Sequence, residues 1–281
     1  MKYIIAALLI AGSSLSPAAA VTDERAQANL ASQSYQQAPD ALRTWVNGRA
    51  GTGKPVHWVS DGGVYAYPSG EKLFGLIGMD SSTVIWPKNP GEEIVHLTRK
   101  TFAYTDKDSG EVITEYKGNK VKPIAYPYQL IRYRLENDLI YGDVEQGVGE
   151  RKQFIKAKNG IPFRKLGNSY LYNASVWLDF PLPSGQQYQA WENYDFFFHP
   201  EGSVSEPHQM TWQRYGKLPA WAGGQIVVTH LQSWRVERQA DIPAQILNWV
   251  KKDKPQWLTP PKDMGEVKSL QEGKTGPGWS G

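Results

Sequence analysis

Not one of the 281 residues is a cysteine, which removes thiol catalysis, disulfide exchange and every cysteine-based zinc or iron–sulfur site. In an oxidising compartment such a chain must be held by its core alone. Long apolar runs are also missing. The run from Tyr3 to Gly12 is too short to span a bilayer as a helix, so no stable membrane insertion is expected. A large excess of one charge sign is missing as well, and a formal net charge of +3 gives no reason to expect nucleic acid. The five histidines, His57, His96, His199, His208 and His230, show no HxH or HxxxH spacing, so no metal is expected. There is no Gly-x-Ser-x-Gly elbow and no dinucleotide fingerprint. Gly48, Gly53 and Lys54 have phosphate-loop spacing, but Pro55 stands where Ser or Thr is required and no apolar strand precedes them. No cofactor is expected.

Residues 1–20, MKYIIAALLIAGSSLSPAAA, place Lys2 before an apolar stretch and end on Ala18 and Ala20. This is the pattern of a secretory signal peptide cut after Ala20, which predicts a periplasmic protein. No cysteine follows the cut, so no lipid anchor is expected. What remains is long enough to build a core without disulfides.

Aromatic residues are abundant: 11 Trp, 15 Tyr and 8 Phe. They favour strands, where they form core and girdle, and they also line ligand cavities. From Val56 to Val236 short runs of period-two alternation are separated by explicit turns, among them Asp61-Gly62-Gly63, Ser69-Gly70 and Glu136-Asn137-Asp138. Sequential hairpins without α/β alternation predict an all-β fold, a single large antiparallel β-barrel of calycin-like type, because closing a sheet removes its edges. A membrane barrel is disfavoured by short strands charged on both faces.

The domain plan follows. After the signal peptide, residues 21–55 read as a lead-in segment whose short helix starts at Asp40 and ends at Gly48. Residues 56–236 are the barrel. Residues 237–264 form a C-terminal amphipathic helix, with Ile246, Leu247 and Val250 on one face, and an extended arm that covers a barrel opening or edge. Residues 265–281 read as a mobile tail.

Candidate chemistry concentrates between His208 and Arg235. Met210, Trp212 and Arg214 share one strand face, and Ile226, Val228, His230 and Trp234 share another. Polar groups travelling with apolar neighbours suit a mostly apolar cavity, although a rim arginine or a satisfied core histidine gives the same pattern. By the same reasoning Arg99 (with Val95 and Leu97) and Tyr133 (with Ile131 and Leu135) are expected to face inward. Asp195 shares a face with Phe197 and His199, where a carboxylate beside aromatics would be a proton-transfer candidate.

The run LTRKTFAYTDKDSGEVITEY, the stretch TWQRYGKLPAWAGGQIVVTHLQSWR and the closing DIPAQILNWVKKDKPQWLTPP together resemble the family called domain of unknown function 1838. The resemblance spans roughly Trp45 to Pro261 and rests on order and spacing. It maps the family pattern onto Tyr104, Asp106, Gly110, Glu111, Trp212, Arg214, His230 and Arg235. Ser109 replaces a turn Thr, Arg99-Lys100 stands for Arg-Glu, and YKGNKVKP departs from the family pattern. No settled activity comes with the resemblance.

The expected function is binding of a small apolar or aromatic molecule, lignin-derived phenolics included, with cofactor-independent lyase or isomerase chemistry. His230 would transfer the proton, Arg99 and Arg214 would stabilise oxyanion charge, and Tyr133 would donate a hydrogen bond. Trp212 and Trp234 would be stacking walls, with Tyr104 and Asp195 completing the ligand site. A non-catalytic periplasmic carrier and an envelope interaction module are the alternatives. Oligomeric state is not legible.

Overall fold

The computed structural model describes residues 39–87, 93–149, 152–181, 187–202 and 207–273. The leader read over residues 1–20 lies outside them. The strands are β1 (Val56–Ala66), β2 (Lys72–Ile85), β3 (Ile94–Thr105), β4 (Glu115–Tyr116), β5 (Asn119–Lys120), β6 (Ile124–Glu136), β7 (Leu139–Gln146), β8 (Gln153–Ile155), β9 (Phe163–Leu166), β10 (Ser169–Pro181), β11 (Gln187–Phe198), β12 (Gln209–Lys217) and β13 (Ile226–Val236). Eleven of them form one antiparallel sheet in the order β8-β7-β6-β3-β2-β1-β13-β12-β11-β10-β9, curled into a half-barrel. The small β4–β5 hairpin stands apart.

This order is that of a barrel meander with its seam moved. The first and last strands pair, His57 facing Val236 and Ala66 facing Val227. The gap lies between β8 and β9, which are neighbours in sequence. It is stitched at one point, where Ile140 of β7 and Ile161 exchange both backbone hydrogen bonds (3.1 and 2.7 Å) and Asn173 N donates to Pro162 O. Ser69-Gly70 and Glu136-Asn137-Asp138 turn the chain as the sequence indicates, but Asp61-Gly62-Gly63 is no turn: it runs inside β1, paired with β2 and β13, and Gly62 stands there because a Cβ would lie 2.0 Å from His230 O. Asn137 and Asp138, both at positive φ, join β6 to β7, as a two-residue hairpin turn requires.

Helix α1 (Asp40–Ala50) fills one end of the curl. It is no peripheral lead-in: Trp45, Val46 and Ala50 are buried against Trp58, Tyr133, Tyr172, Phe196 and Phe198 of the sheet. Nor does it end at Gly48. The helix continues to Ala50, and Gly51, at a φ of 72°, stops it. Gly48 is there for proximity, since a Cβ at this position would lie 2.3 Å from Cδ2 of Phe198. Gly48→Ala should therefore lose about 1–3 kcal/mol to overpacking, offset by roughly 1 kcal/mol of helix propensity. Urea unfolding should show the net loss.

The C-terminal segment covers the outer, convex face of the sheet rather than an opening. Ile246, Trp249 and Val250 of α2 (Ala244–Asp253) and Trp257 pack on Val59, Ile77, Met79 and Ala103. Beyond them Met264–Gln271 is a third helix, α3, where the sequence reads as a mobile tail. Its Val267 and Leu270 are buried against Leu97, Tyr128 and Leu130. The overlooked signal is a capping box: Asp263 accepts from Glu266 N (2.8 Å) and Glu266 reaches back to Lys262 N (2.7 Å).

Pro127 shapes the sheet beneath this cover. It has no N–H for the ladder, and the β3–β6 register shifts between Thr98 and Lys100. Trp257 Nε1 donates to Lys100 O and Tyr126 O (2.8 and 3.1 Å), and Arg99 Nε donates to Pro127 O (3.0 Å). The carbonyls of Lys100 and Tyr126 are thus satisfied from the C-terminal segment and that of Pro127 from β3.

Candidate functional site

A cavity of about 330 Å³ lies inside the curl, within the range of small-molecule sites. Trp45 and Arg49 of α1 form one end. Toward the other, an aromatic plug of Phe74, Tyr104, Tyr116 and Trp221 closes the curl, with ring centroids 5.0–6.1 Å apart. Lining residues occur on both sides of the β8–β9 seam, Gln146 and Ile155 on one side, Val176 and Leu178 on the other. Ile155 is exposed. The seam is therefore the mouth.

The walls are mostly apolar, yet five charged side chains line them: Arg49, Asp80, Lys100, Glu192 and Arg214. They touch loosely. Asp80 Oδ2 stands 3.8 Å from Arg49 Nη2 and 3.9 Å from Lys100 Nζ, and Arg214 Nε stands 3.7 Å from Glu192 Oε1. At these separations charge is balanced in part without direct hydrogen bonds. Arg49 is also held by rings, its Cζ 5.1 Å from the centroid of Phe196 and 5.6 Å from that of Trp58. Burial pulls Lys100 down to about 8, against the opposing pull of Asp80. Burial pushes the Glu192 carboxyl up, while the hydrogen bond it accepts from Tyr194 OH (2.6 Å) favours its anion.

One hydrogen-bonded chain starts and ends on the cavity wall. Tyr133 OH is 3.0 Å from His96 Nδ1, His96 Nε2 is 2.9 Å from Ser82 Oγ, and Ser82 Oγ donates to Asp80 Oδ1 at 2.6 Å. The last bond sets the direction of the others. Ser82 spends its proton on Asp80, so it accepts from Nε2–H of His96, whose Nδ1 then accepts from Tyr133. Burial holds His96 well below the usual imidazole range, keeping it neutral as this pattern requires. All four residues are buried.

Of the residues the sequence nominates, Arg214, Tyr133 and Trp212 line the cavity together. Tyr104 lies inside the curl but in the aromatic plug. Arg99 does not face inward: it donates to Thr259 O (3.0 Å) and Pro260 O (3.2 Å) and pairs with Glu266, tying the C-terminal arm to the outer face. His230 neighbours the cavity-lining Leu231 and so points outward, opposite Gly63 and Gln213. Trp234 packs in the cluster under α2. Asp195 lies between the inward Tyr194 and Phe196, so it too faces out, accepting from Asn173 and Asn193 (2.5 and 3.1 Å). These four outward placements share one cause. The C-terminal cover and polar ladders satisfy the outer face, so apolar company does not identify the inside. The sequence does not single out Arg49, Asp80, Ser82, His96, Lys100, Tyr126, Glu192 or Tyr194; for Asp80, Lys100 and Glu192 a signal exists, a charge in mid-strand as in LFGLIGMDSS.

No family model, curated protein or solved structure matches this chain. Among the described residues no group of three His, Asp or Glu side chains is placed to hold a metal ion, and no helix is long and apolar enough to cross a membrane.

Proposed function

We propose that this protein, exported to the periplasm, binds a small apolar or aromatic molecule in its cavity and moves a proton on it, as a cofactor-independent lyase or isomerase does. The observation that carries this reading is the chain Tyr133–His96–Ser82–Asp80, because both of its ends face the ligand space. In such a site Tyr133 gives its phenolic proton to His96 Nδ1, Nε2–H passes to Ser82, and the Ser82 proton passes to Asp80. Tyr133 is left as a phenolate able to take a proton from the ligand, and Asp80 becomes the neutral acid. An elimination or double-bond shift needs a proton removed at one place and returned at another. Lys100 and Arg214 stand where developing oxyanion charge would be held.

The gathering of aromatic rings inside the curl supports a ligand chamber over an interaction module with external aromatics. The proposal includes the resemblance to domain of unknown function 1838, which implies shared fold extent and no chemistry.

The test is a panel of phenolic and unsaturated aromatic compounds, screened by quenching of tryptophan fluorescence and then assayed for conversion by chromatography. Tyr133→Phe should keep affinity within about threefold and lower turnover by roughly 10²–10⁴-fold. Binding with no conversion by the wild type would leave a carrier. No binding would remove the chamber reading.

A further inference from the structure

Resting on the chamber reading above, we infer that the ligand is a monoanion, an aromatic or unsaturated carboxylic acid whose carboxylate sits at the Arg49 end of the cavity. The charge inventory leads there. Three cations, Arg49, Lys100 and Arg214, line the space against two carboxylates, Asp80 and Glu192, leaving one positive charge uncompensated within mostly apolar walls. A buried excess charge is costly unless paired, and one carboxylate on the ligand completes the pairing.

A second observation locates it. Arg49 Nη1 is buried and has no hydrogen-bond acceptor, although its side chain is only 7% exposed. Of its neighbours, Tyr133 gives its proton to His96 and can offer Arg49 only a neutral phenolic oxygen, Asp80 Oδ1 accepts from Ser82, and Asp80 Oδ2 comes no nearer than 3.8 Å. Orphaned guanidinium donors in native interiors call for a partner, and a carboxylate is the acceptor whose geometry and charge suit one. Phe196 and Trp58 hold the guanidinium in place, so a ligand meets a fixed donor. The ligand's apolar body then extends past Trp212 and Leu231.

Matched pairs test this without any mutation. At pH 7 and low salt, 4-hydroxycinnamate should bind the wild-type protein roughly tenfold or more tightly than 4-hydroxycinnamamide, by titration calorimetry, because a charge-assisted bond replaces a neutral one. The dianion benzylmalonate should bind more weakly than its monoacid homologue 3-phenylpropanoate. In Arg49→Gln the acid–amide ratio should fall to within about threefold; in Arg49→Lys, which keeps the charge should the first variant not fold, a preference for the acid should survive. If the amide binds as well as the acid, the inference is wrong while the chamber stands. If the dianion wins, the count of one charge is wrong. If none of these probes nor their neutral analogues binds, the chamber reading itself falls and the inference with it.

Discussion

Lowering the pH from 7 to 4.5 should destabilise this protein steeply, with stability falling from about pH 6.5 downward. Three histidines drive the effect. His57, His96 and His208 are buried, and burial depresses all three, His208 to about 3. Each is neutral in the fold and takes up a proton on unfolding once the pH drops below the ordinary value near 6.5. The unfolded chain then binds more protons than the folded one, so stability is present above that value and is lost as pH falls. His96 and His208, the more strongly depressed, each contribute up to about 1.4 kcal/mol per pH unit, so the slope approaches roughly 3 kcal/mol per unit, with His57 adding to it nearest its ordinary value. Urea unfolding at half-unit steps measures it. His208→Gln, which keeps an acceptor for His199 N, should reduce the slope by about one proton. A protein more stable at pH 5 than at pH 7 would mean that these rings are charged in the fold.

Asp80→Ala should be the most damaging single change in the cavity. Asp80 is the carboxylate nearest both Arg49 and Lys100, its side chain 8% exposed, and it accepts from Ser82. Removing one member of a buried ion cluster leaves the others uncompensated and costs about 3–5 kcal/mol. The pairs are loose, but the charges are real. The double variant Asp80→Ala/Lys100→Met discriminates the cause. If uncompensated charge is what costs, the second substitution should recover part of the loss, a coupling that two independent packing defects would not produce. Chemical unfolding of the four proteins of this cycle gives the answer directly.

Most strands and turns are legible because alternation and Asx or Gly turn chemistry are local signals; Asp61-Gly62-Gly63 is the exception, its glycines serving close strand approach inside β1 rather than a turn. The meander order followed from them. Which face was inside was not, and the reason is long-range. The outer surfaces of β2, β3 and β6 are apolar because α2, Trp257 and α3 lie on them, so Leu97 and Val95 travel with Arg99 on the covered face and Lys100 turns in. The Pro127 irregularity adds a second ambiguity, since Tyr126 and Gln129 both reach the cavity across a shift that strict period two does not allow. On β12, where among the described residues no helix packs on the outside, alternation alone places Trp212 and Arg214 on the inner face. The central role of α1 was hidden by its composition. ALRTWVNGRA reads as an ordinary short helix, and only the pairing of strands from both halves of the chain creates the space it occupies.

That pairing has a consequence for the order of events. β1 hydrogen-bonds to β2 and β13, so one flank of the first strand stays open until the last strand of the sheet exists. Contacts this distant in sequence form slowly, because loop closure precedes any gain from them. The nascent chain is thus obliged to wait, and any chain cut short before Ile226 keeps one edge of β1 unpaired.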